Sequence, residues 1–304
     1  MTEQTAVPTQ PTEATQLPEK PADAVVPTPT PEAPVAAKAS PTISIAEVFL
    51  STQGEGPLIG TPSVFLRTNG CNLRCRFTNP VTGKTNLCDT AYTSWNPSGT
   101  SKSPQEIYDE VVKLALTTDG TTKRKNPITH IVITGGEPCL YGQEMSDLIL
   151  GFLVTGFHIT VETNGTKYIE VQSKQKTKEG KEVDLTGNLL FSISPKLKSS
   201  TPFGTEHEKS HTKTRINQNV LEALLKRYPS YLKFVMSTDE DLEEINEIRG
   251  KLNLSAHRVF LMPEGVTREE IIANGPKTHE ICIANGFRYS PREHIVLFDT
   301  KRGV

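Results

Sequence analysis

Three cysteines, Cys71, Cys75 and Cys88, crowd into one short stretch of a chain of 304 residues that has five. An odd number bunched in this way makes a poor disulfide framework and points to metal or redox chemistry in a reducing compartment. Cysteine thiolates hold iron–sulfur clusters, normally four to a cubane. Three close cysteines with no evident fourth would leave one iron open, much as catalytic zinc keeps a free position that structural zinc lacks. An open iron can take a substrate or cofactor directly. Gly70, immediately before the first cysteine, suits a backbone that turns sharply around a bulky group. Zinc is a competing reading, but it needs a fourth ligand and the histidines begin only at His130. A set of buried thiols sits badly with Asn72, Arg74 and Arg76. Cys139, after a turn, and Cys282, in an apolar helical pattern, read as buried.

The elements that must position these residues follow a simple alternation. Ile43–Phe49 and Ser63–Thr68 read as strands. A helix begins at Ser103, with Pro104 at its first position and Glu106 closing a capping box. Strand Ile131–Thr134, an amphipathic stretch near Gln143–Val154, and strands His158–Glu162 and Leu189–Ser194 come next. Helix Arg215–Tyr228, strand Tyr231–Met236, helix Asp239–Leu252 and strand Arg258–Met262 continue the pattern. Helix Arg268–Asn285, with Thr267 and Glu270 as a second capping box, and strand His294–Phe298 complete it. Such alternation predicts an α/β fold, a parallel sheet covered by helices, with functional groups at the C-terminal ends of the strands. Residues 173–188 read as a polar surface excursion.

Residues 1–42 stand apart: proline recurs from Pro8 to Pro41 and no aromatic residue appears. A disordered tail with polyproline character is expected there. The formal net charge of −2, with both signs mixed along the chain, gives no electrostatic reason for a nucleic acid or an anionic membrane as partner. No signal-like N-terminus is evident, and the most apolar window, Leu148 to Phe157, is broken by Gly151, Thr155 and Gly156. A cytoplasmic location is expected.

Motifs around the cysteines sharpen the reading. Cys71-x3-Cys75 followed by Arg76-Phe77 resembles the start of the CxxxCxxC loop of radical S-adenosylmethionine enzymes. Thr134-Gly135-Gly136-Glu137-Pro138, after an apolar strand, resembles their GGE motif. Within that superfamily, four stretches resemble the 7-carboxy-7-deazaguanine synthase family. They are Ser51-Thr52-Gln53-Gly54-Glu55-Gly56, Arg67 four residues before the first cysteine, Cys88-Asp89-Thr90, and Ser194-Pro195-Lys196. The likeness spans residues 43–304 and implies a partial (β/α)6 barrel of the radical S-adenosylmethionine type. One departure is plain: the third cysteine comes thirteen residues after the second instead of three. Closing the longer loop costs only about 1.3 kcal/mol more, against thiolate–metal binding on the order of 10 kcal/mol.

The resemblance implies a division of labour. Cys71, Cys75 and Cys88 would hold a 4Fe-4S cluster whose open iron binds S-adenosylmethionine, and the product radical would abstract hydrogen from C6 of 6-carboxy-5,6,7,8-tetrahydropterin. Ring contraction and loss of ammonia would then give 7-carboxy-7-deazaguanine, as in queuosine-type biosynthesis. Gly136 and Glu137 would meet the methionyl end of the cofactor, Phe77 the adenine, and Thr163, Asn164, Ser194, Pro195 and Lys196 the nucleoside side. Thr52, Gln53, Gly54, Glu55 and Thr134 would receive the pterin, with Arg67 on its carboxylate, Val304 closing the pocket, and Thr90 on a bridging Mg2+ ion. A one-electron donor such as flavodoxin or ferredoxin and a homodimer are implied likewise. Each residue also has a plainer reading: Arg67 and Lys196 as solvated charges, Thr90 and Glu55 as loop formers. A glycyl-radical activating enzyme, which docks a protein instead of a pterin, shares the cysteine loop and GGE motif.

Overall fold

The computed structural model describes residues 42–176 and 180–304. The expected tail, apart from Thr42, lies outside the described residues. The first half runs β1 (Ile43–Thr52), β2 (Pro62–Thr68), a hairpin of β3 (Arg76–Thr78) and β4 (Thr85–Leu87), α1 (Ala91–Ser94), β5 (Thr100–Lys102), α2 (Pro104–Leu116), β6 (His130–Gly135), α3 (Gly142–Val154) and β7 (His158–Thr163). Next come a hairpin of β8 (Lys174–Lys176) and β9 (Glu182–Asp184), β10 (Leu189–Ile193), α4 (Glu208–Thr214), α5 (Gln218–Arg227) and β11 (Ser230–Met236). The series ends with α6 (Glu240–Lys251), β12 (Val259–Pro263), α7 (Arg268–Asn285), β13 (Arg288–Tyr289) and α8 (Glu293–Phe298).

The main sheet has the order β13-β12-β11-β10-β7-β6-β2-β1-β5. From β2 to β12 the strands are parallel and neighbours in chain order, the arrangement of a partial (β/α)6 barrel, and β13 extends it by one short parallel strand. β1 and β5 add antiparallel pairings at the other edge. Helices fill the crossovers except between β7 and β10, where the β8–β9 hairpin stands instead, so the polar excursion carries structure of its own.

Register explains how one sheet makes both a core and a site. Leu66 lies opposite Ile133, Ile133 opposite Val161, and Val161 opposite Phe191; all four are fully buried. This layer packs with Ile107 and Val111 of α2 and with Met145, Ile149 and Phe152 of α3 in one apolar cluster. Because side chains alternate with period two, the intervening residues point to the opposite face. That face carries Arg67, Thr134, Glu162, Ser192 and Lys233, and there the sheet lines a cavity.

Local signals act as expected at α2: the Ser103 hydroxyl accepts from the Glu106 amide at 3.3 Å, and the Glu106 carboxylate accepts from the Ser103 amide at 2.7 Å. At α7 only half of the box forms. Thr267 accepts from the Glu270 amide, but the Glu270 carboxylate turns to the Val266 amide at 2.8 Å and to Asn86 at 3.2 Å. The helix expected from Arg215 starts at Gln218, capped by the Asn217 side chain, because Arg215 ends the separate α4. The strand expected at His294–Phe298 is helix α8. Its apolar run suits a strand, but β13 already occupies the edge beside β12. Arg268 of α7 takes the carbonyls of Val296 and Leu297 instead, at 2.5 and 2.8 Å. Among the described residues, no helix is long and apolar enough to cross a membrane.

A polar chain closes the N-terminal end of the strands beneath the site. His130 sits between the Ser63 hydroxyl, 2.7 Å from Nδ1, and the Thr160 hydroxyl, 2.9 Å from Nε2. Burial, with His158 alongside, pulls His130 down to about 4 from an ordinary 6.5. The unfolded chain therefore binds this proton more readily below pH 6.5, and stability falls as pH drops from there toward 4. We expect a loss of about 2 kcal/mol between pH 7.5 and pH 5 from this group. Urea titrations of the wild type and His130→Gln at both pH values check it: equal losses in the two proteins would refute the assignment.

Candidate functional site

The chain leaves β2 through Asn69 and Gly70, which takes φ +84, and delivers Cys71 to the C-terminal end of the sheet. Leu73, 1% exposed, anchors the loop between the first two cysteines. The loop is stapled to the end of β6: the Gly136 amide donates to the Thr68 carbonyl at 3.1 Å and the Glu137 amide to the Gly70 carbonyl at 2.8 Å. This contact explains the glycine pair. A Cβ on Gly135 would fall 2.1 Å from the Thr68 carbonyl oxygen, and one on Gly136 would fall 1.9 Å from that of Gly70. The close approach that the pair allows is thus between two backbones of the chain itself.

The long spacing to Cys88 is resolved by the β3–β4 hairpin. Arg76 pairs with Leu87 and Thr78 with Thr85, so Cys75 and Cys88 flank the hairpin's open end, and the Cys88 amide donates to the Cys75 carbonyl at 3.2 Å. Asn79 forms the turn, its side-chain oxygen accepting from the amides of Val81 and Thr82. Its amide nitrogen donates to Glu264 at 2.7 Å, and Asn86 donates to the other oxygen of Glu264 at 2.9 Å. The inserted residues therefore dock on the end of β12. Trp95, just past α1, donates its indole N–H to the Cys75 carbonyl at 3.2 Å and packs edge-on against His207.

All three thiols are free and line one cavity of about 530 Å³. Burial pushes Cys71 up to about 12, helped by the Glu137 carboxylate, and raises Cys75 and Cys88 as well. Among the described residues no three His, Cys, Asp or Glu side chains converge on a single ion-sized point. Three thiols on the wall of one cavity suit the corners of a cubane better than one tetrahedral ion. The other two cysteines, Cys139 and Cys282, are buried as expected.

Most of the residues expected to meet the cofactor share that cavity: Gly136, Phe77, Thr163, Asn164, Ser194 and Lys196. Lys196 reaches the Ser194 hydroxyl at 2.9 Å. Glu137 and Pro195 are not on the cavity wall. The Glu137 carboxylate accepts from the Thr163 hydroxyl at 2.6 Å, the Cys139 amide at 3.0 Å and the Asn164 amide at 2.7 Å. It braces the end of β6 against the end of β7.

On the substrate side, Thr52, Gln53, Gly54 and Glu55 line the cavity together with Arg67 and Thr134, and Thr90 and Val304 complete it. Arg67 is no loose charge: Glu47 takes its Nε at 2.7 Å and its guanidinium lies 5.5 Å from the Phe49 ring centre. The Thr90 hydroxyl lies 3.3 Å from the Cys88 sulfur. Glu162, from the alternating face, joins Gln53 at 3.3 Å and Thr134 at 2.7 Å.

Sequence reading missed a chain of charges across this end, three of them buried and the fourth, Asp89, open on one side. Lys233 pairs with Glu55; Arg292 lies 3.5 Å from Glu55, pairs with Asp89, and donates to the Gly265 carbonyl. Burial would raise Glu55, but Lys233, Arg292 and His294 outweigh it and hold the carboxyl down to about 2. Asp89 is likewise held well below the carboxylate range against burial, chiefly by Arg292, while burial depresses His294. A lone lysine inside the apolar strand Tyr231–Met236 was the one legible signal. Nothing local marks Arg292.

Removing one member of such a buried pair leaves an uncompensated charge. Lys233→Met is expected to cost about 3–5 kcal/mol, and adding Glu55→Gln should recover part of it, as a double-mutant cycle by denaturant unfolding reads; strict additivity would refute the coupling. Gly136→Ala forces the cysteine loop off β6 and should sharply reduce the iron bound per chain after reconstitution, while wild-type iron content would show that the loop yields.

No family model matches the chain. The 7-carboxy-7-deazaguanine synthase of Rhodopirellula baltica is 35% identical over 278 residues, spanning 90% of this chain and 93% of its own. That of Halobacterium salinarum is 35% identical over 272 residues, spanning 85% and 91%. Among solved structures, QueE from Escherichia coli shares the fold, with a TM-score of 0.53 at 22% identity over 83% of this chain and 95% of that one. With such identity over nearly the full length of both chains, and with cysteines, glycine pair and polar strand ends gathered on one cavity, this protein belongs to the 7-carboxy-7-deazaguanine synthase family.

Proposed function

We propose that the protein converts 6-carboxy-5,6,7,8-tetrahydropterin to 7-carboxy-7-deazaguanine with loss of ammonia. The observation that carries this reading is the joining, in one cavity of small-molecule size, of three free thiols with a polar wall bearing both carboxylates and guanidinium. Cys71, Cys75 and Cys88 would hold a 4Fe-4S cluster. With S-adenosylmethionine bound, such a cluster would supply the one-electron chemistry that starts hydrogen abstraction.

The chain's own residues bind, orient and exclude water. The Gly136 backbone faces the methionyl end, and Thr163 and Asn164, held from behind by Glu137, lie toward the nucleoside side. Phe77 on the hairpin, Ser194 and Lys196 take the nucleoside side. Glu55, kept anionic by Lys233 and Arg292, accepts from the N–H edge of the pterin, with Thr52, Gln53, Gly54, Thr134 and Glu162 around it. Arg67, its Nε already taken by Glu47, offers its Nη edge to the substrate carboxylate. Thr90 supplies a hydroxyl for Mg2+, an ion that tolerates few protein ligands when substrate oxygen and water complete its shell. Val304 closes the cavity, its segment held by Arg302 over the Tyr92 ring at 4.0 Å.

Anaerobic reconstitution with iron and sulfide, followed by electron paramagnetic resonance, tests the reading. We expect a cubane signal that shifts on adding S-adenosylmethionine and is lost in Cys88→Ala, and product from 6-carboxytetrahydropterin under chemical reductant. Uptake of one zinc and no iron would end it; a good cubane without pterin turnover would end the substrate assignment alone.

A further inference from the structure

Glu47 holds Arg67, and it reaches that place through an irregularity in β1. Ile43 and Ile45 are core residues, and strict alternation would put Glu47 on their face. The pairing with β2 slips by one residue instead: Ile45 lies opposite Thr68 but Glu47 opposite Arg67, with Ala46 left over as a bulge. Beyond it Val48 and Leu50 pack on the core, while Phe49 lines the cavity. The extra residue thus turns an acid from the core face to the face of Arg67. One oxygen of that acid, Oε1, takes two donors, Arg67 Nε at 2.7 Å and the Tyr92 hydroxyl at 2.5 Å. Tyr92 lies in α1, two residues after Thr90, whose carbonyl accepts from both the amide and the hydroxyl of Thr93 at 2.8 Å. Arg67, Thr90 and Tyr92 line the cavity and Glu47 does not.

We propose that Glu47 is a positioning residue that fixes the spacing between Arg67 and Thr90, and so selects a pterin bearing a carboxylate over one without it. This rests on the proposed function, which gives the substrate carboxylate to Arg67 on one side and, through Mg2+, to Thr90 on the other. A guanidinium and a hydroxyl from different elements meet one small anion only if their separation is set. Oε1 sets it, because the donor from β2 and the donor from α1 end on the same atom. With Nε engaged and the guanidinium 5.5 Å from the Phe49 ring centre, the Nη edge is the part left to pair. Phe49 is itself stacked on Phe65 at 5.1 Å, so that support is fixed. Ordering Arg67 in advance moves the cost from binding to folding, worth about tenfold in affinity. Electrostatics alone predicts the opposite sign, since a nearby negative charge repels a carboxylate and its removal would tighten binding.

Calorimetry on the reconstituted full chain with S-adenosylmethionine and Mg2+, without reductant so that nothing turns over, compares 6-carboxytetrahydropterin with tetrahydropterin. The two ligands differ only in the carboxylate. Glu47→Met should weaken the first about tenfold and leave the second unchanged, which also shows that the pocket is intact. Glu47→Gln keeps an oxygen for both donors and should stay within about threefold of the wild type. Tyr92→Phe, which cuts the tie to α1 and spares the ion pair, should lose about threefold on the carboxylated ligand alone. In an Arg67→Met background, Glu47→Met should add no more than that loss, because it acts through Arg67. No loss, equal losses on both ligands, tighter binding of the carboxylated one, or the full loss without Arg67 overturns the role of Glu47 and leaves the proposed function standing. A wild type that binds the two ligands equally overturns the substrate assignment as well.

Discussion

The backbones of Gly135–Gly136 and Thr68–Gly70 touch, and the site is built outward from that contact. Neither glycine could carry a side chain without driving the strands apart, since the added carbons would fall about 2 Å from carbonyl oxygens. The contact fixes Cys71 relative to β6. Glu137, next in the chain, then fixes β6 relative to the Thr163–Asn164 end of β7 through two hydrogen bonds. Burial raises this carboxyl's pKa while the hydrogen bonds oppose the shift. A motif whose resemblance points to ligand binding is thus in part a bracket, with Thr134, Gly135 and Gly136 as its surface on the cavity.

The hairpin solves a different problem. Twelve residues between Cys75 and Cys88 could wander, but loop-closure entropy grows only logarithmically with length. An antiparallel ladder then sets the register, so the two thiols emerge side by side whatever the hairpin's length. Hydrogen bonds from Asn79 and Asn86 to the two oxygens of Glu264 lock its roll against β12. Phe77, on the same ladder opposite Asn86, gains a fixed place on the cavity wall.

How far the sequence could be read depends on whether the signal is local. The capping box at Ser103 and Glu106 and most of the alternating strands are properties of short windows and hold, and the three cysteines come to one cavity. The run from His294 to Phe298 is a short window too, but its fate is decided by carbonyls that Arg268 claims and by β13 occupying the sheet edge. The second capping box fails in half because Glu270 finds Asn86, far away in sequence. Lys233 and Arg292 escape notice for the same reason: their meaning lies wholly in the partners that folding brings, Glu55 and Asp89.

Those partners are costly to keep. Desolvating two cations and two carboxylates is seldom recovered by their mutual attraction, and well-packed apolar residues would serve stability as well or better. The cost makes sense at a place where position matters more than stability. Arg292 joins the loop that carries Glu55, the Asp89 that follows the third cysteine, and the Gly265 carbonyl beyond β12. Pulling any one of these away strands a buried charge, so all three share one geometry. The hairpin cannot drift without pulling Asp89 off Arg292, and Glu55 cannot turn from the cavity without leaving Lys233. A pterin-sized ligand then meets a wall whose acceptors and donors are already set, and the ordering cost falls on folding instead of on binding.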